Sequence, residues 1–197
     1  MRTRSLVSST IALVALALFS APAPAAAQAT IGVKGGINLA RLSFADGTVN
    51  DWNTGLVGGA FFGGNHEKRV SFRVEALLSI KGAKDGATTY KFTYLEIPVL
   101  ARYNFASSAH ARASVFGGPA VAFRLQAKAS GGQAGDLKDA VESIDMGAVV
   151  GAGVEINKLV VDARYEFGLL NLLKNATDMT EFIKNQCITV MVGVRFK

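Results

Sequence analysis

Val70–Lys81 reads VSFRVEALLSIK, and its apolar residues return at every second position. Val70, Phe72, Val74, Ala76, Leu78 and Ile80 share one parity. Ser71, Arg73, Glu75, Ser79 and Lys81 share the other, with Leu77 the exception. Successive strand side chains point to opposite faces, so this stretch is a strand with one oily face and one charged face. Such a strand fits a closed barrel in two ways. A soluble lipocalin-like barrel turns the oily face inward, and a membrane barrel turns it outward to lipid.

The alternation recurs through the chain, giving eight strands. The first is Ile31–Leu42, with Ile31, Val33, Ile37 and Leu39 against Lys34 and Asn38. Thr54–Gly63 is the second, diluted by glycine, and Val70–Lys81 the third. In Phe92–Tyr103, Leu95, Ile97, Val99, Ala101 and Tyr103 oppose Tyr94, Glu96, Pro98, Leu100 and Arg102. In Ala111–Gln126, Val115, Val121, Phe123 and Leu125 oppose Ser114, Arg124 and Gln126. The last three are Ile144–Ile156, Leu159–Gly168 and Gln186–Phe196. Their minor faces hold Asp145, Glu155, Asp162, Arg164, Glu166, Thr189 and Arg195, with Gly147, Gly151 and Gly153. These glycines suggest bare backbone opposite long arginines that cross a narrow lumen.

The connections alternate in length. Ser43–Asn53, Gly82–Lys91, Ala127–Ser143 and Leu169–Asn185 are long, whereas Gly64–Arg69, Asn104–His110 and Asn157–Lys158 are short. Outer-membrane barrels pair short periplasmic turns with longer outer loops. The expected fold is therefore an all-β, eight-stranded antiparallel up-and-down transmembrane β-barrel with both termini periplasmic. Ala134–Ser143, AGDLKDAVES, has the composition of a short helix.

The charged parity favours the membrane arrangement. Lys34, Arg73, Lys81, Arg102, Arg124, Arg164 and Arg195 share it with Glu75, Glu96, Asp145, Glu155, Asp162 and Glu166, seven bases against six acids. A solvated outer face has no need of that balance. An interior that must pair its charges does, because a buried unpaired charge costs several kcal/mol. These thirteen residues are the expected lumen ion-pair network. Eight strands enclose a space that side chains can fill, so the lumen is expected to be plugged. On the apolar face Phe62, Phe72, Tyr103 and Phe196 lie toward the short turns, and Phe123 and Phe167 toward the long loops, as interfacial aromatic girdles would.

The first residues set the compartment. Arg2 and Arg4 precede an apolar run centred on Ile11–Phe19, and Ala27-Gln28-Ala29 is a small-residue cleavage site. Residues 1–29 are read as a signal peptide cut after Ala29 or Ala27, leaving the barrel domain at 30–197. No other apolar run reaches helix-spanning length. The mean hydropathy of +0.28 is high for a soluble domain and suits strands with a lipid-facing side. Cys187 is the single cysteine, so no internal disulfide forms.

GVKGGINLA at Gly32–Ala40, YLEIPVLARY at Tyr94–Tyr103, FGGPAVAF at Phe116–Phe123, DMGAVVGAGVEI at Asp145–Ile156 and ARYEFGLLNL at Ala163–Leu172 stand beside the closing VGVRF. Together they resemble the PorT-like outer-membrane β-barrel proteins over nearly all of the mature chain. The resemblance implies an eight-stranded outer-membrane barrel, and one branch of that family is associated with protein secretion. Such barrels end in an aromatic residue read by the barrel assembly machinery. Thr189, Val194 and Phe196 fit that ending, whereas Met191 replaces its glycine and Lys197 follows the aromatic residue.

Chemistry is sparse. His66 and His110 both lie in short turns, where neither joins a Ser/His set. Ligand spacing for a metal is lacking. Gly151-Ala152-Gly153 lacks the third glycine and following helix of a dinucleotide site. Bases are scattered, which argues against nucleic acid. We expect no enzyme, cofactor or metal. The loop Leu169–Asn185 is unusually apolar, carrying Leu172, Leu173, Met179, Phe182 and Ile183. Either the flanking strands continue into it, or it folds across the barrel mouth, or it is a contact surface. Three functions follow: an envelope or surface-interaction barrel, a secretion or transport accessory, and a soluble lipocalin-like carrier. Expected partners are outer-membrane lipid and lipopolysaccharide, the barrel assembly machinery at the C-terminal strand, and a protein at the outer loops.

Overall fold

The computed structural model describes residues 29–44, 51–65, 68–85, 88–108, 110–130, 135–136, 142–170 and 183–196. Every element among them is a strand: β1 Thr30–Phe44, β2 Asp51–Gly63, β3 Val70–Asp85, β4 Thr88–Ser107, β5 Ala111–Ser130, β6 Gly135–Asp136, β7 Ile144–Ile156, β8 Leu159–Gly168 and β9 Ile183–Arg195. All neighbours pair antiparallel, in the order β4-β3-β2-β1-β9-β8-β7-β5-β6, and β4 also pairs with β5. That last pairing closes eight strands into a barrel. The two-residue β6 is an addition to the top of β5, where Asp136 and Gly135 meet Lys128 and Ala129. Closure satisfies the backbone without leaving an edge, as a lipid-embedded sheet requires.

The alternation resolves into out and in. Ile31, Val33, Leu56, Phe72, Leu78, Val150, Val192 and Val194 are exposed on the outer face. Lys34, Arg73, Glu75, Lys81, Glu96, Arg102, Asp162 and Arg164 are buried. This is the inverse of a lipocalin, whose interior is apolar. Leu77, the break in the β3 pattern, points inward and packs with Val57 and Met191. A second interior cluster joins Leu100, Phe116, Ala120 and Val149.

Several strands run beyond the segments read from sequence. Of Gly82–Lys91, expected as a long loop, the described residues instead continue β3 and β4, with Gly82 paired to Lys91 and Asp85 to Thr88. β5 continues to Ser130. There the alternation is hidden because the inward positions are small, as at Ala127 and Ala129. Gly135 and Asp136, expected in a short helix, are strand, while 137–141 lie outside the described residues.

A bulge explains another difference. Thr93 pairs with Gln126 but Tyr94 with Arg124, so Leu125 is an extra residue on β5. One extra residue reverses the faces beyond it. Gln126 is therefore exposed, not inward, and Ala127 turns in. At the opposite end β7 and β8 join through Asn157-Lys158, with Ile156 paired to Leu159. Asn157 takes φ 56°, the left-handed conformation that two-residue hairpins demand and that asparagine tolerates better than most residues.

Candidate functional site

The lumen is the densest arrangement of polar chemistry in the molecule. Lys34 on β1 places Nζ 2.6 Å from Glu75 Oε1 on β3 and 2.9 Å from Asp162 Oδ2 on β8. Glu75 Oε2 accepts from Arg164 Nη1 at 3.0 Å. Arg164 Nη2 lies 3.8 Å from Glu96 Oε2 on β4. Glu96 Oε1 is 2.7 Å from Lys81 Nζ, which also donates to Glu166. In the other direction Arg73 and Arg102 both reach Asp162 at 3.7 Å. Both also face Glu155 Oε1, at 2.7 and 3.5 Å. Five bases and five acids thus form one connected, buried network from Glu155 to Glu166.

Ten of the thirteen residues expected in the lumen network are in it. The other three are placed differently. Asp145 is buried and accepts from Asn185 Nδ2 at 2.7 Å. Arg124 donates from Nε to the Glu142 carbonyl at 2.8 Å, just before the bulge. Arg195 donates from Nη2 to the Asn157 carbonyl at 2.8 Å, at the rim beside the chain ends. Near a barrel end a long guanidinium finds a turn carbonyl sooner than a carboxylate across the lumen.

Neutral residues complete the filling, and sequence reasoning did not select them. Arg102 Nη2 donates to Ser114 Oγ at 2.6 Å. Asn38 Nδ2 donates to Ser79 Oγ at 2.7 Å, and Thr189 Oγ1 donates to Asn38 Oδ1 at 2.8 Å. Aromatic rings act as platforms for cations: the Tyr94 ring lies 5.9 Å from Lys81 Nζ, and two phenylalanines serve other bases. The Phe61 ring lies 4.3 Å from the Arg73 guanidinium and 6.0 Å from Lys34 Nζ. The Phe116 ring lies 5.3 Å from Arg102. Both rings occupy the inward parity, which was the available signal. On β7 the Phe116 ring faces Gly151 and the Asp162 carboxylate faces Gly153, so neither glycine stands opposite a crossing arginine. A Cβ on Gly151 would stand 2.7 Å from the Phe116 ring, and one on Gly153 would collide with the Asp162 carboxylate.

Toward the end remote from the chain termini the interior turns apolar. Leu42, Ala83, Phe92, Tyr94, Ala122 and Ala127 form a buried cluster, with Tyr90 and Ile183 packed on it. Ile183, expected in the last loop, instead opens β9 and pairs with Phe44. Its side chain is held by this cluster, which draws the strand start inward. Leu172, Leu173, Met179 and Phe182 lie outside the described residues. Cys187 is buried, with Sγ 3.5 Å from Thr189 Oγ1.

The arrangement can neutralise and seal. Breaking one member of a buried pair typically costs about 3–5 kcal/mol, because its partner is left uncompensated.

A closed eight-stranded barrel with lipid-compatible outer residues and a charged, filled lumen defines a small outer-membrane barrel. Residues 22–174 match the family described as Outer membrane protein beta-barrel domain, and the chain belongs to that family. No curated protein matches the sequence. Among solved structures, Neisserial surface protein A (NspA) is similar at 17% identity and TM-score 0.53. The match covers 85% of this chain and 99% of that one. Ail, the attachment invasion locus protein of Yersinia pestis, is similar at 15% identity and TM-score 0.50. That match covers 86% of this chain and 99% of Ail. At these identities the likeness is one of fold.

Proposed function

We propose that this chain is a non-enzymatic outer-membrane protein that acts through its loops while its lumen serves as a permanent plug. The observation that supports this is the connected buried ion-pair network, which occupies the only route through an eight-stranded barrel. With the interior given to structure, recognition falls to the connections at the end remote from the termini. In this reading both termini are periplasmic, residues 1–29 are a removed signal peptide, and the C-terminal strand is read by the assembly machinery. Lipopolysaccharide and a protein bound at the loops are the proposed outer partners. A surface protein and an attachment protein, by their names, share the fold. The narrower PorT-like assignment, and with it a secretion role, has only the sequence resemblance behind it.

Planar-bilayer recording of the refolded full chain tests the plug. The expected result is no stable conductance, and a stable large pore overturns the proposal. Replacing residues 171–182 by glycine and serine should leave heat-modifiable gel mobility intact while removing species cross-linked to the wild-type barrel in the outer membrane. Unchanged cross-links would move recognition away from this loop.

A further inference from the structure

The charges outside the lumen are unevenly divided between the two ends of the barrel. At the end bearing the chain termini, the short turns and the final residues contain Lys68, Arg69, Arg112, Lys158, Arg195 and Lys197, against one acid, Glu67. In sequence, the strand tips and long connections of the opposite end hold eight bases and nine acids, the buried Asp145 among the acids. The lumen network is balanced, so it offsets neither end. The excess positive charge of the barrel domain therefore belongs to the short-turn rim.

The position of these bases limits what they can meet. Arg69 lies over the exposed Tyr103 ring, 5.4 Å from its centroid. It is followed in sequence by Val70, an exposed apolar residue. Lys158 precedes the exposed Leu159, and Arg195 sits between the exposed Val194 and Phe196. Arg69 and Lys158 thus adjoin the last apolar row of the outer face, which in a membrane barrel lies near the lipid phosphates, and Arg195, of inward parity, is held at the same rim by the Asn157 carbonyl. Aromatic side chains on the same rim, Phe62, Phe72 and Tyr103, mark the interface. Short turns give no reach toward a soluble polymer.

We infer that the short-turn rim is a binding collar for anionic glycerophospholipid headgroups of the leaflet that contains it. The inference rests on the membrane-barrel reading and is independent of the loop contacts. Basic residues near an anionic membrane surface contribute about 1 kcal/mol each, or about fivefold in binding per base.

Native mass spectrometry of the full chain, refolded in neutral detergent and titrated with phosphatidylglycerol or phosphatidylcholine, tests it. The wild type should retain phosphatidylglycerol preferentially. Lys68→Gln/Arg69→Gln/Lys158→Gln should lose about fivefold in that retention per base removed. Lys68→Arg/Lys158→Arg should retain it, and Lys84→Gln/Lys91→Gln/Lys128→Gln at the other end should be unchanged. Equal retention of the two lipids overturns the inference, as does equal loss from both triple variants. Displacement by millimolar glycerol phosphate also overturns it, because the rim would then be an anion site indifferent to the membrane. Heat-modifiable gel mobility checks folding throughout. If the triple variant does not fold, Lys158→Gln against Lys158→Arg gives the same reading. A wild type without that mobility would refute the membrane barrel itself, whereas a folded barrel without lipid preference refutes only the collar.

Discussion

Glu75 shows what one residue does in this interior. Its two oxygens take Lys34 and Arg164 separately, and its side chain is inaccessible to solvent. Glu75→Leu leaves Lys34 with Asp162 alone and Arg164 with only the 3.8 Å approach to Glu96, in a medium that cannot hydrate them. The expected loss is about 3–5 kcal/mol in urea unfolding from lipid vesicles. The exposed Lys91→Leu should cost little in the same assay. A Glu75→Leu barrel as stable as the wild type would show that water enters the lumen and screens it. The parity of these charges was legible in the sequence, because each alternates with apolar neighbours along its own strand. Their partners were not, since Lys34 and Asp162 are 128 residues apart and meet only through barrel stagger. Arg124 and Arg195 have the right parity but the wrong height. Phe61 and Phe116 were missed because an aromatic residue on the minor face looks like a flaw in alternation, when it is a surface for a guanidinium.

At the scale of the strand, the bulge at Leu125 sets which residues line the mouth. Deleting Leu125 should remove the bulge and leave Gln126 on Thr93 and Ala127 on Phe92, so that Ala127 and Ala129 stay inward. In a Cys187→Ala background, Ala127→Cys should resist a water-soluble maleimide with or without Leu125. Reactivity after the deletion would mean that Leu125 is not the extra residue. Sequence reading recovered the strands wherever one face was apolar and the other charged. It ended β3 at Lys81 and began β4 only at Phe92 because beyond them the inward position is the small Ala83, with Lys91 facing out and Phe92 in. The sense of the alternation reverses there, and a reader tracking apolar-outward parity sees the strand stop. Asn157-Lys158 was legible as a turn from its brevity.

For the whole molecule the deciding question is what surrounds it. Val150, half exposed at the middle of β7, faces outward. In a membrane, Val150→Arg should destabilise by about 2–4 kcal/mol, measured by reversible unfolding from vesicles. A soluble barrel would tolerate an outward arginine there. The family match and the inverted distribution of apolar and charged residues agree on the membrane, and the balance of seven bases with six acids had already pointed that way.

The seam between the first and last strands has a consequence in time. β1 pairs along its length with β9, and Asn38 meets Thr189 across 151 residues of chain. Until that seam zips, the sheet is open and the future lumen is wetted. Lys34 can reach neither Asp162 nor freedom from water in that state. The ion pairs thus lose hydration last and together, at the step that also hides both strand edges. Loop closure over so many residues is slow relative to local pairing. The charged interior therefore asks little of the early chain and makes the final step nearly all-or-none. A barrel that closes out of register is penalised there by misplaced charges, so the plug doubles as a proofreader of its own closure.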